Sequence, residues 1–268
     1  MQEMLTPATN NITESSVPPN ITESKVFIAK DPKLTFQDGA AAFDPISIYL
    51  ALRRLQQTFD VPKIYTHEVI ENIEDGPFAK LVNISVDGRQ VNATIDTGNL
   101  KWCSPDTVEK SEFDDYEKNT KQSATFTEGG TIVKIDEYYV SRQPMYLPSE
   151  ERVYMWFAEL PKSKAKDLGR YTLVSEAQKL TSSFDDVINR RGGDYYDKIS
   201  VPAIQVDYKS TLSEIAEDNL DVASASQRIR FTLDYTGAHV IADSEVVYRG
   251  GGPKSPPRHF YFGKNGDV

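Results

Sequence analysis

Apolar and polar positions along this chain fall into two textures. Asp44-Pro45 opens a helix signal, a capping carboxylate followed by proline at the first helical position. Ile46, Ile48, Tyr49, Leu50, Leu52, Leu55 and Phe59 then recur at helical spacing, with Arg53 and Arg54 between them, until Val61-Pro62 ends the run. From about residue 64 the period shortens to two. In Leu81–Val86, Val82, Ile84 and Val86 share one face and Leu81, Asn83 and Ser85 the other. Asp87-Gly88 is a hairpin turn signal, after which Val91, Ala93 and Ile95 alternate against Asn92 and Thr94. Strand-like runs follow at 131–135, 153–160, 171–174, 199–206, 229–233 and 239–241, with a short one at 25–29. A second helix is predicted around 175–188, and the Thr-, Asn-, Ser- and Pro-rich residues 1–24 read as a mobile tail.

Composition narrows the classes. A chain of 268 residues, 39% hydrophobic, suffices for one large or two modest cores. A formal net charge of −10 argues against binding a nucleic-acid backbone, which needs clustered Lys and Arg. Cys103 stands alone, so no intramolecular disulfide and no cysteine-based zinc site is expected. His67, His239 and His259 are scattered without metal-ligand spacing, and no metal or organic cofactor is expected. Gly250-Gly-Gly-Pro-Lys254-Ser255 lacks the spacing of a phosphate loop, and Lys162, Lys164 and Lys166 read as a solvated loop. Asn-X-Ser/Thr sequons at Asn11, Asn20, Asn83 and Asn92 favour a secreted or vacuolar chain, although no signal peptide is visible. Asn83 and Asn92 fall on the more polar strand faces, where a glycan is tolerated. No apolar run approaches the ~20 residues that span a membrane.

Chemistry concentrates at Ile95-Asp96-Thr97-Gly98. A strand that ends in Asp-Thr-Gly delivers a carboxylate to a turn, the glycine admits a second loop closely, and the Thr hydroxyl can brace the two. A second carboxylate nearby would share a proton with the first, and the pair would activate water against a peptide carbonyl. Val69–Asp75, Leu81–Val86, Gln90–Gly98, Leu100-Lys-Trp102, Phe113-Asp114 and Ser123-Ala-Thr-Phe126 together resemble the start of a pepsin-like aspartic-peptidase lobe. Tyr195-Tyr196, Ile204-Gln-Val206 and Phe231 to Ser244 resemble the approach to that family's second aspartate.

The resemblance implies an all-β, bilobal acid-protease barrel whose second lobe is incomplete. It places a tail at 1–24, a prosegment-like helical segment at 25–63, an N-terminal lobe at 64–175 and a partial C-terminal lobe at 176–268. Asp96 and Asp243 would be the catalytic pair, supported by Thr97, Gly98 and Ser244, with Tyr139 as flap candidate and a peptide or protein as substrate. A partner or missing segment would complete the second lobe. Glu245 stands where the second motif wants glycine, and the flap glycines are absent. Those departures set an inactive member, acting as a protein- or peptide-binding module, beside the peptidase reading. The apolar helix with Arg53-Arg54 would fill a cleft as a prosegment or simply pack its apolar face on the barrel. Phe43–Ile48 with Thr236-Gly237-Ala238 resembles serpins more faintly, a reading that leaves Asp-Thr-Gly and Leu-Lys-Trp unexplained.

Overall fold

The computed structural model describes residues 30–250 apart from residues 38, 72–75, 116–117 and 166. Asn11, Asn20, His259 and the segments 1–24 and 25–29 lie outside these described residues. The first element of the described chain is α1 (Pro45–Phe59), where the Asp44 carboxylate accepts from the N–H groups of Ile46 at 2.9 Å and Ser47 at 3.2 Å, as the sequence predicts. Asp60, in the left-handed region at φ 54°, closes it by donating its N–H to Gln56.

A single turn, α2 (Glu68–Glu71), precedes the hairpin β1 (Val82–Asp87) and β2 (Gln90–Asp96). β3 (Leu100–Trp102), β4 (Val108–Asp114), β5 (Thr120–Phe126), β6 (Gly130–Ile135), β7 (Tyr138–Tyr146) and β8 (Arg152–Glu159) follow. The helices α3 (Lys162–Ala165) and α4 (Arg170–Arg191) come next, then β9 (Asp194–Tyr196), β10 (Ile199–Pro202) and β11 (Ile204–Thr211). The described chain ends with α5 (Ser213–Asp218), β12 (Val222–Asp234) and β13 (Gly237–Tyr248). This is a mixed helix-and-sheet fold, which corrects the all-β expectation.

Ten strands form one antiparallel sheet around β13. β12 and then β11 lie on one side of it, and β2 and then β1 on the other. Where β2 ends, β3 takes its place beside β13 and leads to β7, which pairs with β6 and β8. A second sheet of three strands runs β10-β5-β4. The bilobal expectation fails on register: β13, assigned to a second lobe, pairs with β2 from Ile241↔Asp96 to Val247↔Gln90. Strands from both ends of the chain therefore share one sheet and one core rather than facing each other across a cleft.

The back of that sheet carries α1. Ile48, Leu52 and Leu55 are buried against Val91, Ala93 and Val246, each such side chain contributing roughly 1.5–3 kcal/mol on burial. The helix thus packs its apolar face, one of the two roles its pattern allowed. Small residues let it approach: the Ser47 hydroxyl lies 2.7 Å from that of Ser244, and the Gln227 amide donates to the Ser244 hydroxyl and the Asp44 carbonyl while accepting from the Asp44 N–H.

The far end of the opposite face carries α4, whose Leu180 and Phe184 pack on Val133, Ile135 and Val140. Residues 171–174, read as a strand, form the first turns of this helix. Its start signal is not local: Gly169 has no side chain to cap with, and Asp31 supplies the carboxylate to the N–H groups of Tyr171 at 2.8 Å and Thr172 at 3.0 Å. A Cβ on Gly169 would fall 2.1 Å from the Asp31 carboxylate, so glycine is what lets the distant cap in. Among the described residues no helix is long and apolar enough to cross a membrane.

Candidate functional site

Between the regions under α4 and the edge at β1, the front of the sheet is open and polar. Opposed residues define its rows. One runs Asn83, Thr94, Asp243, Arg228, Lys209, and the next Ser85, Asn92, Glu245, Ser226, Thr211. A third runs Asp96, Ile241, Arg230, Asp207. Alternation sends every second residue of these strands to this front and the rest to the core under α1. That is why Asp243 is half-exposed while its neighbour Ser244 is 2% exposed and bonded to α1 on the other side.

Asp-Thr-Gly is a bulge in this sheet. Between the pairs Asp96↔Ile241 and Leu100↔Ala238, three residues, 97 to 99, face only two, His239 and Val240. β2 and β3 are thus one strand interrupted by one extra residue, the definition of a β-bulge. Thr97, buried, repairs the ladder: its N–H donates to the Val240 carbonyl at 3.1 Å, and its hydroxyl oxygen accepts the Val240 N–H at 3.0 Å. Gly98 sits at φ +59°, and a Cβ there would approach the Pro148 ring to 2.8 Å. The extra residue also resets the alternation, so that Lys101 returns to the front beside Gly237.

The two aspartates are diagonal neighbours on this front, a relation that spaces Cα atoms by roughly 7–8 Å. Each is turned to its own partners. Asp96 accepts from the Gly98 N–H at 2.9 Å and meets His239 Nε2 at 2.8 Å. The Gly98 N–H first, and the His239 hydrogen bond second, hold its carboxyl below the usual aspartate range. Asp243 accepts from the Thr94 hydroxyl at 2.9 Å and pairs with Arg230 at 3.0 Å. A proton-sharing pair needs carboxylates in hydrogen-bond reach of each other, and two closely spaced like charges are what raise one of the two pKa values. Here the Gly98 N–H and His239 hold Asp96, and the Thr94 hydroxyl and Arg230 hold Asp243. The chemistry this arrangement supports is hydrogen bonding and, at Asp243, ion pairing, not activation of water.

Other front side chains are held in the same plane. Arg228 grips Asp207 through two nitrogens, with Nε at 2.8 Å, and holds that carboxyl below its usual range. The Gln90 amide bridges Asn92 and Glu245, at 2.9 and 2.7 Å. Two shallow depressions open on the face, one of about 500 Å³ among Asn92, Thr94, Lys209, Arg228, Asp243 and Glu245, the other of about 260 Å³ among Asn99, Lys101, Thr232, Asp234 and His239. Among the described residues no group of three or more His, Cys, Asp or Glu side chains gathers as a metal site. Tyr139, the flap candidate, stands half-exposed on β7 with the Lys134 ammonium 5.5 Å from its ring centroid. Sequence reasoning named His239 only as a scattered histidine and missed Arg228 and Arg230, although the alternation of Gln227-Arg-Ile-Arg-Phe231 marks a strand with charges on one side.

No protein-family profile matches the chain, and no curated protein sequence does. Solved structures similar to it are serpins. Emu ovalbumin aligns with a TM-score of 0.38 and 10% identity, over 64% of this chain and 48% of that one. Reactive-loop-cleaved lamprey angiotensinogen gives a TM-score of 0.42 and 9% identity, over 60% and 53%. Reactive-loop-cleaved human thyroxine-binding globulin gives 0.41 and 12%, over 60% and 52%. The chain spans about half the length of these structures. Likeness at this level carries no argument. The pepsin-like barrel, its shared-proton pair and the peptidase reading built on them are overturned instead by the sheet register and by the separate partners of the two aspartates.

Proposed function

We propose that this chain is a non-catalytic polypeptide-binding module whose contact surface is the open front of β11, β12, β13 and β2. The observation that carries the reading is that this face is uncovered among the described residues while three of its carboxylates already have side-chain partners in its own plane. Asp96 with His239, Asp243 with Arg230, and Asp207 with Arg228 form a checkerboard that is costly to bury against an apolar surface and well suited to a polar one. Front-facing Asn, Thr, Ser and Gln side chains add donors and acceptors between the pairs. Protein–protein contacts of moderate affinity are built from such mixed polar surfaces, with arginine prominent.

The test is selection of a phage-displayed random peptide library on the immobilised protein, counter-selected on a folded Arg228→Glu/Arg230→Glu variant. Peptides that bind the wild type and not the variant support the reading. Binders indifferent to the variant, or none at all, contradict it. A quenched-fluorescent peptide library incubated with the protein between pH 3 and 6 should remain uncut, and cleavage abolished by Asp96→Asn would overturn the non-catalytic part.

A further inference from the structure

Among the described residues the sheet ends at β1, and the composition of this edge poses a problem. In antiparallel pairing, alternate residues turn both backbone groups to the partner and the others turn theirs away. The two-residue turn at Gly88-Arg89, with Gly88 at φ +55° in its first position, makes Asp87 and Gln90 the closing bonded pair. Ser85↔Asn92 and Asn83↔Thr94 therefore bond as well, and the N–H and C=O groups of Ile84 and Val86 point outward. Among the described residues nothing pairs with them. Ile84 is also 36% exposed, so a β-branched apolar side chain stands on an unpaired edge.

Folded proteins blunt such edges with lysine, proline, bulges or a covering segment. The strand Val-Asn-Ile-Ser-Val-Asp has no lysine, proline or bulge. The opposite edge, β11, shows what blunting looks like: the Gln37 amide donates to the Lys209 carbonyl at 2.6 Å and accepts the Lys209 N–H at 3.3 Å, occupying the place of a neighbouring strand. What β1 carries instead is the sequon Asn83-Ile-Ser85, with Asn83 exposed, on the solvent front, and without a side-chain partner among the described residues. The second sequon of the hairpin differs. Asn92 is half-buried between β1 and β13, and its side chain accepts from Gln90.

We infer that Asn83 is an N-glycan acceptor and that its sugar shields the open edge of β1 from pairing with another strand. A bulky, hydrated glycan attached one residue from Ile84 obstructs approach along the edge without disturbing any contact of the hairpin. It stands at the rim of the binding face, four strands from Lys209 and so roughly 19 Å away at ~4.8 Å per strand. The face and the shield are compatible.

The test is expression of the full chain behind a cleavable secretion signal in insect cells. Glycopeptide mass spectrometry reads occupancy at Asn83 and Asn92, and size exclusion with light scattering reads association. Asn83 should be occupied and the wild type monomeric. Asn83→Gln and Ser85→Ala, which remove the sequon from either end, should both shift the protein to dimer or larger. Adding Ile84→Lys to Asn83→Gln should restore the monomer, because an edge lysine blunts pairing without sugar. An unoccupied Asn83, sequon variants that stay monomeric, or association that survives Ile84→Lys would each overturn the inference.

Discussion

If the back of the sheet holds the fold and the front is free for a partner, two substitutions on one strand should differ sharply in cost. Gln227 and Arg230 both lie on β12, on opposite faces. Gln227 is 3% exposed and makes three hydrogen bonds: to the Asp44 carbonyl at 2.7 Å, to the Ser244 hydroxyl at 2.8 Å and from the Asp44 N–H at 2.8 Å. At a net ~1 kcal/mol each, Gln227→Ala should remove about 3 kcal/mol, since the groups left behind are at the buried start of α1. For a domain of this size that corresponds to a fall in melting temperature of about 6–12 °C. Arg230→Ala removes an ion pair whose side chains are 44% and 41% exposed, and should cost only about 0–1 kcal/mol.

Urea unfolding followed by circular dichroism measures both. The midpoint should drop for Gln227→Ala with the slope unchanged, which reports lost stability rather than a changed unfolded state. Arg230→Ala should overlay the wild type. Equal losses for the two, or a loss below about 1 kcal/mol for Gln227→Ala, would mean that the faces are not divided in this way.

Three further outcomes follow from named contacts. Gly98→Ala places a side chain in the left-handed region against Pro148 and should lower stability by about 1–2 kcal/mol in the same urea assay, while Gly39→Ala, with open space around it, should show backbone strain alone. Asp31→Ala should cost about 1 kcal/mol by uncapping α4, and hydrogen exchange should quicken first at Tyr171 and Thr172. The depressed carboxyl of Asp96 contributes stability that is present above its unfolded pKa of about 3.9 and lost as pH falls through the lower folded value. In Asp96→Asn that share of the acid-side loss should be absent, as stability measured from pH 6 down to pH 2 would reveal.

The fold class was not legible, but two elements whose cause is local were. The α1 helix carries its cap, its proline and its apolar stripe within its own sequence, and the β1–β2 hairpin carries its alternation and its glycine. What was not legible depends on distant partners. The first turn of α4 reads as a strand because Asp31, its cap, lies 140 residues from Tyr171. The front charges were invisible as a site because Arg230 and His239 acquire meaning only from the register that sets them beside Asp243 and Asp96.

Asp96-Thr97-Gly98 shows how the local geometry of a motif leaves its use open. Its glycine specifies a left-handed residue, its threonine a local brace and its aspartate an acceptor for the turn N–H, and all three are found here. None of them specifies what lies across from the turn. In a shared-proton site a second carboxylate must face it; here Val240 and His239 do, because β13 pairs in a register that puts Ile241 opposite Asp96. The residue that decides between the two uses sits 143 positions away from the motif, at His239, and it gives the aspartate a hydrogen-bond partner of its own.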